Sequence, residues 1–245
     1  MQLIGIDCAT EDKRTGVALA DFDQSASLVV KAAKVCSREE SALEVVRSWL
    51  DSGTGDTLIA LDAPLGWPRA LSAGLAGHRA GAPLPGNRKE LFWRDTDWVV
   101  KQRLGVRPLS VGADLIAHTA HAALEMLGPL GLQTGSPVPL AWTPPGSGIW
   151  AIEVYPAATL RAIGAAYPGY KKDRELRARV VEKINREDMD LQASAGTILA
   201  NEHALDAVVC LLAARDFLLR RCVEPTDLEL AKQEGWIWFR ETDVP

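Results

Sequence analysis

Three apolar segments lie within the first 35 residues, and only short polar turns separate them. They read LIGIDCA (3–9), TGVALAD (15–21) and SLVVKAAKV (27–35), and they are rich in Val, Ile, Leu and Ala. Segments of this length and composition predict β-strands. The connections between them are too short for a parallel crossover, so we expect an antiparallel meander.

The hydrophobic period changes after the third segment. Residues 37–53, SREESALEVVRSWLDSG, place apolar side chains at helical spacing and end at Gly53. Ser37 followed by Glu40 fits a capping box, so we predict that the helix starts near Ser37. DTLIALDAP (56–64) then predicts a fourth strand, and strand–helix–strand favours a parallel crossover onto the same sheet.

The remaining periodic segments complete an α/β pattern. They predict a helix, a fifth strand and a long buried final helix: GADLIAHTAHAALEML (112–127), WAIEVYP (150–156) and NEHALDAVVCLLAARDFLLRR (201–221). The order is β-β-β-α-β-α-β-α, with insertions after strand four (about 65–110) and strand five (about 156–200). We therefore predict a single domain over 1–245, built on a mixed five-stranded sheet flanked by helices.

The composition excludes several classes of protein. Hydrophobic residues make up 47% of the 245 residues, which is enough for a substantial core and too many for wholesale disorder. No apolar run approaches the ~18 residues that a membrane span needs. The N-terminus lacks the features of a secretory signal, and the four cysteines form no C-x-x-C pair. We therefore expect a cytoplasmic protein with reduced thiols, with no membrane segment and no structural zinc.

The charges are unevenly distributed along the chain. The net charge is −5, which by itself does not favour nucleic-acid binding. Residues 69–107 nevertheless hold eight Lys and Arg against three Asp and Glu, and residues 161–186 hold the same numbers. If both segments share one face they would attract a polyanion. The alternative is that they form two solvated basic surfaces.

Three of the five predicted strands end on an acidic residue. The first ends on Asp7, the fourth on Asp62 and the fifth on Glu153. An acid before a turn is common, so each one alone is weak evidence. Ligands of open α/β sheets bind beyond the carboxyl ends of the strands, however, and parallel neighbouring strands would bring these acids together.

The final helix carries a further acid in an apolar context. Asp206 lies within ALDAVVCLLAA, where an unpaired charge would cost several kcal/mol. His203 and Glu202 precede it by three and four residues, so they share its helix face. Asn201 is a candidate N-cap, and this explains Glu202 as a helix-start acid. It explains Asp206, which lies more than a turn inside, poorly.

Carboxylates clustered in this way would need a cation. Without one they repel each other and raise each other's pKa. Carboxylate oxygens suit Mg²⁺ or Mn²⁺, and two such ions ~4 Å apart can activate a water and stabilise the leaving oxygen of a phosphodiester. We therefore predict a Mg²⁺ or Mn²⁺ site at the carboxyl end of the sheet.

The segments GIDCA, ALDAPLGWP, RDTD, EVYPAA and EHALDA together resemble the family called domain of unknown function 429, and the element order resembles the RNase H-like superfamily. The resemblance covers most of the chain and implies a metal-dependent nuclease. It implies that Asp7, Asp62 and Asp206 are catalytic metal ligands. It also implies an auxiliary catalytic role for His203, similar to the His-x-x-Asp pair of some Holliday-junction resolvases. Glu153 departs from the three-acid pattern and is either a fourth metal ligand or the start of the EVYP turn.

Basic residues of the first insertion are candidates for substrate binding. Arg94, in WRDTD, either forms an ion pair beside a helix start or contacts a substrate phosphate. We assign Arg88 and Lys89 to a positive rim that binds nucleic acid. Four tryptophans of loop-rich segments either stack on bases or anchor the insertion on the sheet: Trp67, Trp93, Trp98 and Trp142.

The predicted function is metal-dependent hydrolysis of a phosphodiester in DNA or RNA. One alternative is an ATP-dependent phosphotransferase of the actin-like or sugar-kinase type, which shares the sheet order. Against it, the chain shows no duplicated unit and has Cys8 and Ala9 where these kinases carry a glycine beside the acid. The other alternative is a non-catalytic binding module that retains the acids.

Overall fold

The computed structural model describes residues 1–23, 27–53, 55–112, 114–131, 135–191 and 194–242. Within these ranges the strands are β1 (Gln2–Asp7), β2 (Gly16–Phe22), β3 (Leu28–Val35), β4 (Thr57–Asp62), β5 (Ile149–Glu153) and β6 (Met189–Asp190). They form one sheet in the order β5-β4-β1-β2-β3-β6. The pairs β1–β2 and β2–β3 are antiparallel, whereas β1–β4, β4–β5 and β3–β6 are parallel. The predicted mixed α/β sheet, with its meander and its parallel crossover, is confirmed.

The predicted number of five strands is wrong, because the described residues form a six-stranded sheet. The additional strand, β6, has only two residues and pairs with Leu28 and Val29 at the edge of β3. It lies inside the second insertion and has no apolar run of its own. A strand of this length leaves no periodicity in the sequence, so only its partner reveals it.

Helices surround the sheet and also fill both insertions. They are α1 (Ala42–Ser52), α2 (Arg69–Leu75), α3 (Arg88–Phe92), α4 (Asp95–Leu104), α5 (Asp114–Leu130), α6 (Pro156–Ala162), α7 (Arg174–Asn185), α8 (Ala195–Ala200), α9 (Glu202–Leu218) and α10 (Leu228–Glu234). The first insertion contains α2 to α4, and the second contains α6 to α8 together with β6. Among the described helices, none is both long enough and apolar enough to cross a bilayer.

Helix α1 starts four residues later than the sequence pattern predicted. Its N-cap is Ser41, and the capping box is completed by Glu44. The hydroxyl of Ser37 instead accepts hydrogen bonds from the backbone N–H groups of Glu39 and Glu40, which makes a turn before the helix. Two serine–glutamate pairs with the same spacing follow one another here, and the sequence alone does not choose between them.

The sheet has a packed core on each face. Helix α9 lies against one face, where its side chains meet alternate residues such as Leu3, Ala18 and Leu58. Helices α1 and α5 cover the other face, which presents Ile4 and Ile59. Because α9 is enclosed by other elements along nearly its whole length, almost all its side chains are buried. This agrees with its nearly all-round apolar sequence.

Two glycines allow α9 to approach the sheet unusually closely. A Cβ atom added at Gly5 of β1 would overlap the backbone oxygen of Ala207, and one added at Gly16 of β2 would overlap the backbone oxygen of His203. Only glycine leaves room for backbone against backbone at these positions. The glycine of the GID segment therefore sets the height of α9 above the strand that ends on Asp7.

The C-terminal segment packs against the other edge of the sheet without forming a regular strand there. Ile237 makes an isolated parallel bridge to Glu153 of β5, and Arg240 makes an isolated antiparallel bridge to Cys222. Trp236 and Phe239 are buried. The segment therefore completes the core on the side of β5 and the first insertion.

We predict that Gly5→Ala lowers the free energy of unfolding by at least about 1–3 kcal/mol, because overpacking forces backbone shifts at the α9 contact. The matched control is Gly196→Ala within α8, where no atom lies within 4 Å of the added Cβ. There we expect a gain of about 0.5–1 kcal/mol from helix propensity. Urea unfolding of both variants tests this, and equal stability of Gly5→Ala and wild type would contradict the close contact.

Candidate functional site

Asp7 and Asp62 lie side by side at the carboxyl ends of two neighbouring strands. β1 and β4 are parallel, and their register pairs Asp7 with Asp62. Every residue that precedes the acid in each strand is buried, so burial of the strands fixes this register. Paired residues of adjacent parallel strands point to the same face, and the two carboxylates therefore open onto one site.

Asp206 of α9 contributes a third carboxylate to this site. Its side chain is fully buried. The hydroxyl of Tyr170 donates a hydrogen bond to Oδ1 over 2.7 Å, and the ammonium of Lys171 lies 2.7 Å from Oδ2. The Lys171 side chain itself remains half exposed. Asp206 is therefore a buried carboxylate that forms an ion pair with a lysine at the protein surface.

The turn that carries Tyr170 and Lys171 is held by a buried arginine. Arg177 of α7 donates hydrogen bonds from Nη1 to the backbone oxygens of Tyr170 (3.1 Å) and Lys171 (3.0 Å). Its Nε donates to the backbone oxygen of Leu199, just before α9. The second insertion is thus fastened to the start of the helix that carries Asp206.

His203 connects the first turn of α9 to β1. Its Nδ1 lies 2.7 Å from Oδ2 of Asp7, and its ring is 29% exposed. Asn201 is the N-cap of α9, as predicted, and its side chain accepts hydrogen bonds from the backbone N–H groups of His203 and Ala204. The cap fixes where the helix begins and thereby places the imidazole beside Asp7.

The site is rich in negative charge. Burial and the charges of Asp7 and Asp206 raise the pKa of Asp62 well above its usual range. Burial also raises the pKa of Asp206 to about 6; Lys171 opposes this rise and Asp7 adds to it. The hydrogen bond to Asp7 raises the pKa of His203. Each shift shows that the site favours an added proton or cation.

A cavity of about 180 Å³ adjoins Asp62. Its walls are mainly apolar and include Leu109, Ile116 and Tyr155, while Cys8 and Asp62 add polar atoms. Burial and the charge of Asp62 raise the pKa of Tyr155, so its hydroxyl stays protonated as a hydrogen-bond donor. The site therefore has room for a small group directly beside one of its carboxylates.

Glu153 and Arg94 are committed to each other. Arg94 is 1% exposed, and its guanidinium makes a bidentate pair with Glu153 at 2.7 and 2.9 Å. It also contacts Asp97 at 3.0 Å, and Glu153 accepts a further hydrogen bond from the backbone N–H of Leu65. In this arrangement the oxygens of Glu153 are occupied, and the guanidinium of Arg94 is closed off from a substrate phosphate.

Glu234 of α10 fastens the same insertion at two further points. One carboxylate oxygen accepts a hydrogen bond from the backbone N–H of Arg69, the first residue of α2. The other accepts from the backbone N–H of Asp95, the first residue of α4. One buried carboxylate therefore caps two helix N-termini, where the helix dipoles favour a negative charge.

Arg88 and Lys89 lie away from this buried network. Both side chains are exposed at the start of α3, which Asn87 caps through the backbone N–H groups of Lys89 and Glu90. They line a groove that shares Pro108 and Leu109 with the cavity beside Asp62. Of the eight residues that the sequence singled out, the structure thus joins Asp7, Asp62, Asp206 and His203, and places Glu153, Arg94, Arg88 and Lys89 around them.

The donor set has the chemistry of a magnesium site but lacks a complete cage. Among the described residues, no three Asp, Glu, His or Cys side chains are arranged to hold a metal ion. Both oxygens of Asp206 and one oxygen of Asp7 already have partners. Mg²⁺, however, commonly binds through one or two carboxylates and keeps several waters until a substrate phosphate arrives. Asp7 and Asp62 fit that mode of binding.

A family model described as "Protein of unknown function (DUF429)" matches residues 5–229. The chain belongs to this family. The predicted family membership is therefore confirmed, and the matched span contains all the acids of the site together with His203. No curated protein and no solved structure matched the chain.

Two residues of this DUF429 site, Tyr170 and Lys171, were not predicted. They lie in YPGYKK, which the sequence marks only as a break after a helix and as part of a basic stretch. The excess of basic residues over 161–186 was the available signal. It did not single out Lys171, because the carboxylate that pairs with it comes from another element.

We predict that Glu153→Gln lowers the free energy of unfolding by about 3–5 kcal/mol, because it breaks a buried ion pair and leaves Arg94 partly uncompensated. Glu182→Gln is the matched control, since Glu182 pairs with Arg186 on the surface of α7. That exposed pair is expected to contribute less than about 1 kcal/mol. Denaturant unfolding measures both, and similar small losses would show that Glu153 is not a structural anchor.

We predict that Asp206→Asn is stabilising at neutral pH in EDTA and neutral in acid. The folded-state pKa of Asp206 is raised from 3.8 to about 6, so its contribution to stability is full below pH 3.8 and is lost as the pH rises through 6. Asparagine does not titrate and still accepts the hydrogen bond from Tyr170. Relative to wild type, the variant should gain up to about 3 kcal/mol between about pH 4 and pH 7.

Urea unfolding over this pH range measures the difference. The control is Asp173→Asn, which removes an exposed charge but keeps an N-cap residue for α7. A stability difference between Asp206→Asn and wild type that does not change with pH would contradict the raised pKa.

Proposed function

We propose that this DUF429 protein is a metal-dependent hydrolase that cleaves phosphodiester bonds in nucleic acid. The proposal rests on one observation: three carboxylates, from β1, β4 and α9, meet at one site. The charges of Asp7 and Asp206 there help to raise the pKa of Asp62. An apolar helix that buries an acid beside two others creates a strongly negative site. Such a site is destabilising unless a cation binds there.

We further propose that the sheet is of the RNase H-like type. In support, the meander β1–β3, the crossover to β4 and the later β5 and α9 follow the order of that superfamily. The acids at the end of β1, at the end of β4 and on α9 stand where the resemblance expects catalytic acids. This agreement concerns the placement of elements and acids, and it makes phosphodiester hydrolysis the activity to test first.

Asp7 and Asp62 would hold Mg²⁺ or Mn²⁺. A divalent cation at such a site lowers the pKa of water and stabilises the charge that develops on phosphoryl oxygens. Asp206 would tune the site through its charge, because its own oxygens are engaged by Tyr170 and Lys171. The half-exposed ammonium of Lys171 would contact a substrate phosphate at the mouth of the site.

His203 has the geometry of a general acid. Asp7 holds its Nδ1, so Nε2 is the nitrogen left to transfer a proton, and the ring is partly exposed. The raised pKa keeps more of the imidazole protonated near neutral pH. Protonated Nε2 would donate a proton to the leaving alkoxide oxygen of the cleaved phosphodiester.

We expect the protein to cleave DNA or RNA oligonucleotides in the presence of Mg²⁺ or Mn²⁺, and we expect EDTA to abolish this cleavage. Asp7→Asn and Asp62→Asn should each lower the cleavage rate more than about 100-fold, because losing even a hydrogen-bond partner of a metal ligand costs about 10–100-fold. Asp173→Asn, which also exchanges one aspartate for asparagine, should cleave like wild type. Gel analysis of end-labelled oligonucleotides gives the rates.

Cleavage by Asp7→Asn at the wild-type rate, or cleavage that EDTA does not affect, would contradict the proposal. Metal-dependent hydrolysis of ATP without cleavage of either nucleic acid would instead support the phosphotransferase alternative. Folding of each variant is checked by thermal unfolding before activity is compared.

A further inference from the structure

A basic groove of about 880 Å³ lies between α3, α4 and residues 107–112 of the first insertion. Four cationic side chains line it: Arg88, Lys89, Lys101 and Arg107. All four are exposed, and none of the described residues that line the groove is acidic. Within a chain of net charge −5, this is a local concentration of positive charge that would attract an anion.

Two tryptophans form one wall of the groove. The rings of Trp93 and Trp98 stack with their centroids 5.0 Å apart and their planes at 29°. Both rings are partly exposed. The groove therefore offers flat aromatic surface to a ligand.

The cations lie directly on these rings. The guanidinium of Arg107 is 3.5 Å from the centroid of Trp93, and the ammonium groups of Lys101 and Lys89 are 5.1 and 5.7 Å from the centroid of Trp98. Aromatic faces that attract cations are also the faces on which bases stack. A ligand with both a base and a phosphate would stack on the indole and pair with the cation that it displaces.

The groove is held in shape by its attachments. The hydroxyl of Ser110 donates a hydrogen bond to the backbone oxygen of Phe92 over 2.8 Å, which ties the segment after α4 to the end of α3. Arg94, between the two tryptophans, is anchored through its buried pair with Glu153. The groove is consequently organised before any ligand binds, which lowers the entropy cost of binding.

The groove also leads to the acidic site. Pro108 and Leu109 line both the groove and the cavity beside Asp62. Leu109 is 66% exposed at this junction. A chain molecule bound along the groove would thus pass directly to the cavity next to the carboxylates.

We propose that this groove binds single-stranded nucleic acid, with bases on Trp93 and Trp98 and phosphates on the four surrounding cations. A single strand fits better than a duplex, because only unpaired bases expose their faces to a side chain. Single-stranded nucleic acid would then be the substrate of the hydrolase proposed above, and this role of the groove rests on that proposed function. Binding itself is measured without cleavage.

Fluorescence anisotropy of a labelled oligothymidylate of about 15 nucleotides, in EDTA, tests the groove with the full chain. We expect tighter binding than for a duplex of similar length or for inorganic polyphosphate, which has charge but no bases. Affinity should fall linearly as the logarithm of salt concentration rises, because bound phosphates release counterions.

Two double charge-reversal variants distinguish binding in the groove from an effect of the net charge of the protein. Arg88→Glu with Lys89→Glu should weaken binding and reduce the salt slope by about 1 or more. Arg38→Glu with Arg47→Glu causes the same change in net charge on exposed residues at and before α1, across the sheet from α4. That control pair should leave the slope unchanged.

Two substitutions of one tryptophan test stacking. Trp98→Leu removes the aromatic face but keeps apolar bulk, and we expect at least about fivefold weaker binding with an unchanged salt slope. Trp98→Phe keeps an aromatic face and should retain most of the affinity. Thermal unfolding confirms that both variants fold.

Equal binding by wild type and Trp98→Leu, or polyphosphate binding as tight as oligothymidylate, would overturn the proposal. Tighter binding of duplex would overturn it as well. If oligonucleotide binds through the groove but is not cleaved with metal, the hydrolase proposal fails while the groove stands. If the groove variants cleave oligonucleotide at the wild-type rate, the hydrolase proposal stands and the groove is not where its substrate binds.

Discussion

The contact between α9 and the first two strands determines the geometry of the site. Gly5 and Gly16 admit the helix backbone directly onto the sheet, so the helix is positioned by main-chain atoms rather than by adaptable side chains. The first turn of α9 then brings His203 to Asp7, and the next turn buries Asp206 beneath the strand ends. Atoms placed by backbone packing move little, because interiors are close-packed. This is the precision that a reactive site requires.

The negative charges of the site are compensated by a residue that lies outside the sheet and α9. The sheet and α9 supply the acids and the imidazole of the site, and the compensating ammonium of Lys171 comes from a turn of the second insertion. The insertion is therefore more than a surface elaboration, since it carries the counter-ion of a buried carboxylate. The first insertion is attached in the opposite way, through a buried arginine that it contributes to Glu153 on the sheet.

The sequence allowed strands β1 to β5 of the sheet, α9 and the meeting of Asp7, Asp62 and Asp206 to be predicted, because each depends on local periodicity or on strand ends. It did not reveal the partner of Asp206, which lies 36 residues earlier in an irregular turn. Arg94 and Glu153 were both noticed, but separately, and 59 residues separate them. Whether an arginine meets a buried glutamate or a phosphate depends on tertiary packing, which leaves no periodic signal in either segment. The predicted start of α1 is wrong for a different reason, since two equivalent capping boxes compete within a few residues.

The double cap made by Glu234 has a consequence for how the molecule opens. One side chain near the end of the described chain holds the first turns of both α2 and α4, and α4 leads from Arg94 into the basic groove. Detaching α10 would therefore remove the cap of both helices at once, while the pair between Arg94 and Glu153 would still hold the start of α4 to the sheet. Because they share this cap, we expect the backbone N–H groups of Arg69 and Asp95 to lose their protection from hydrogen exchange together, in a local opening that costs less free energy than global unfolding.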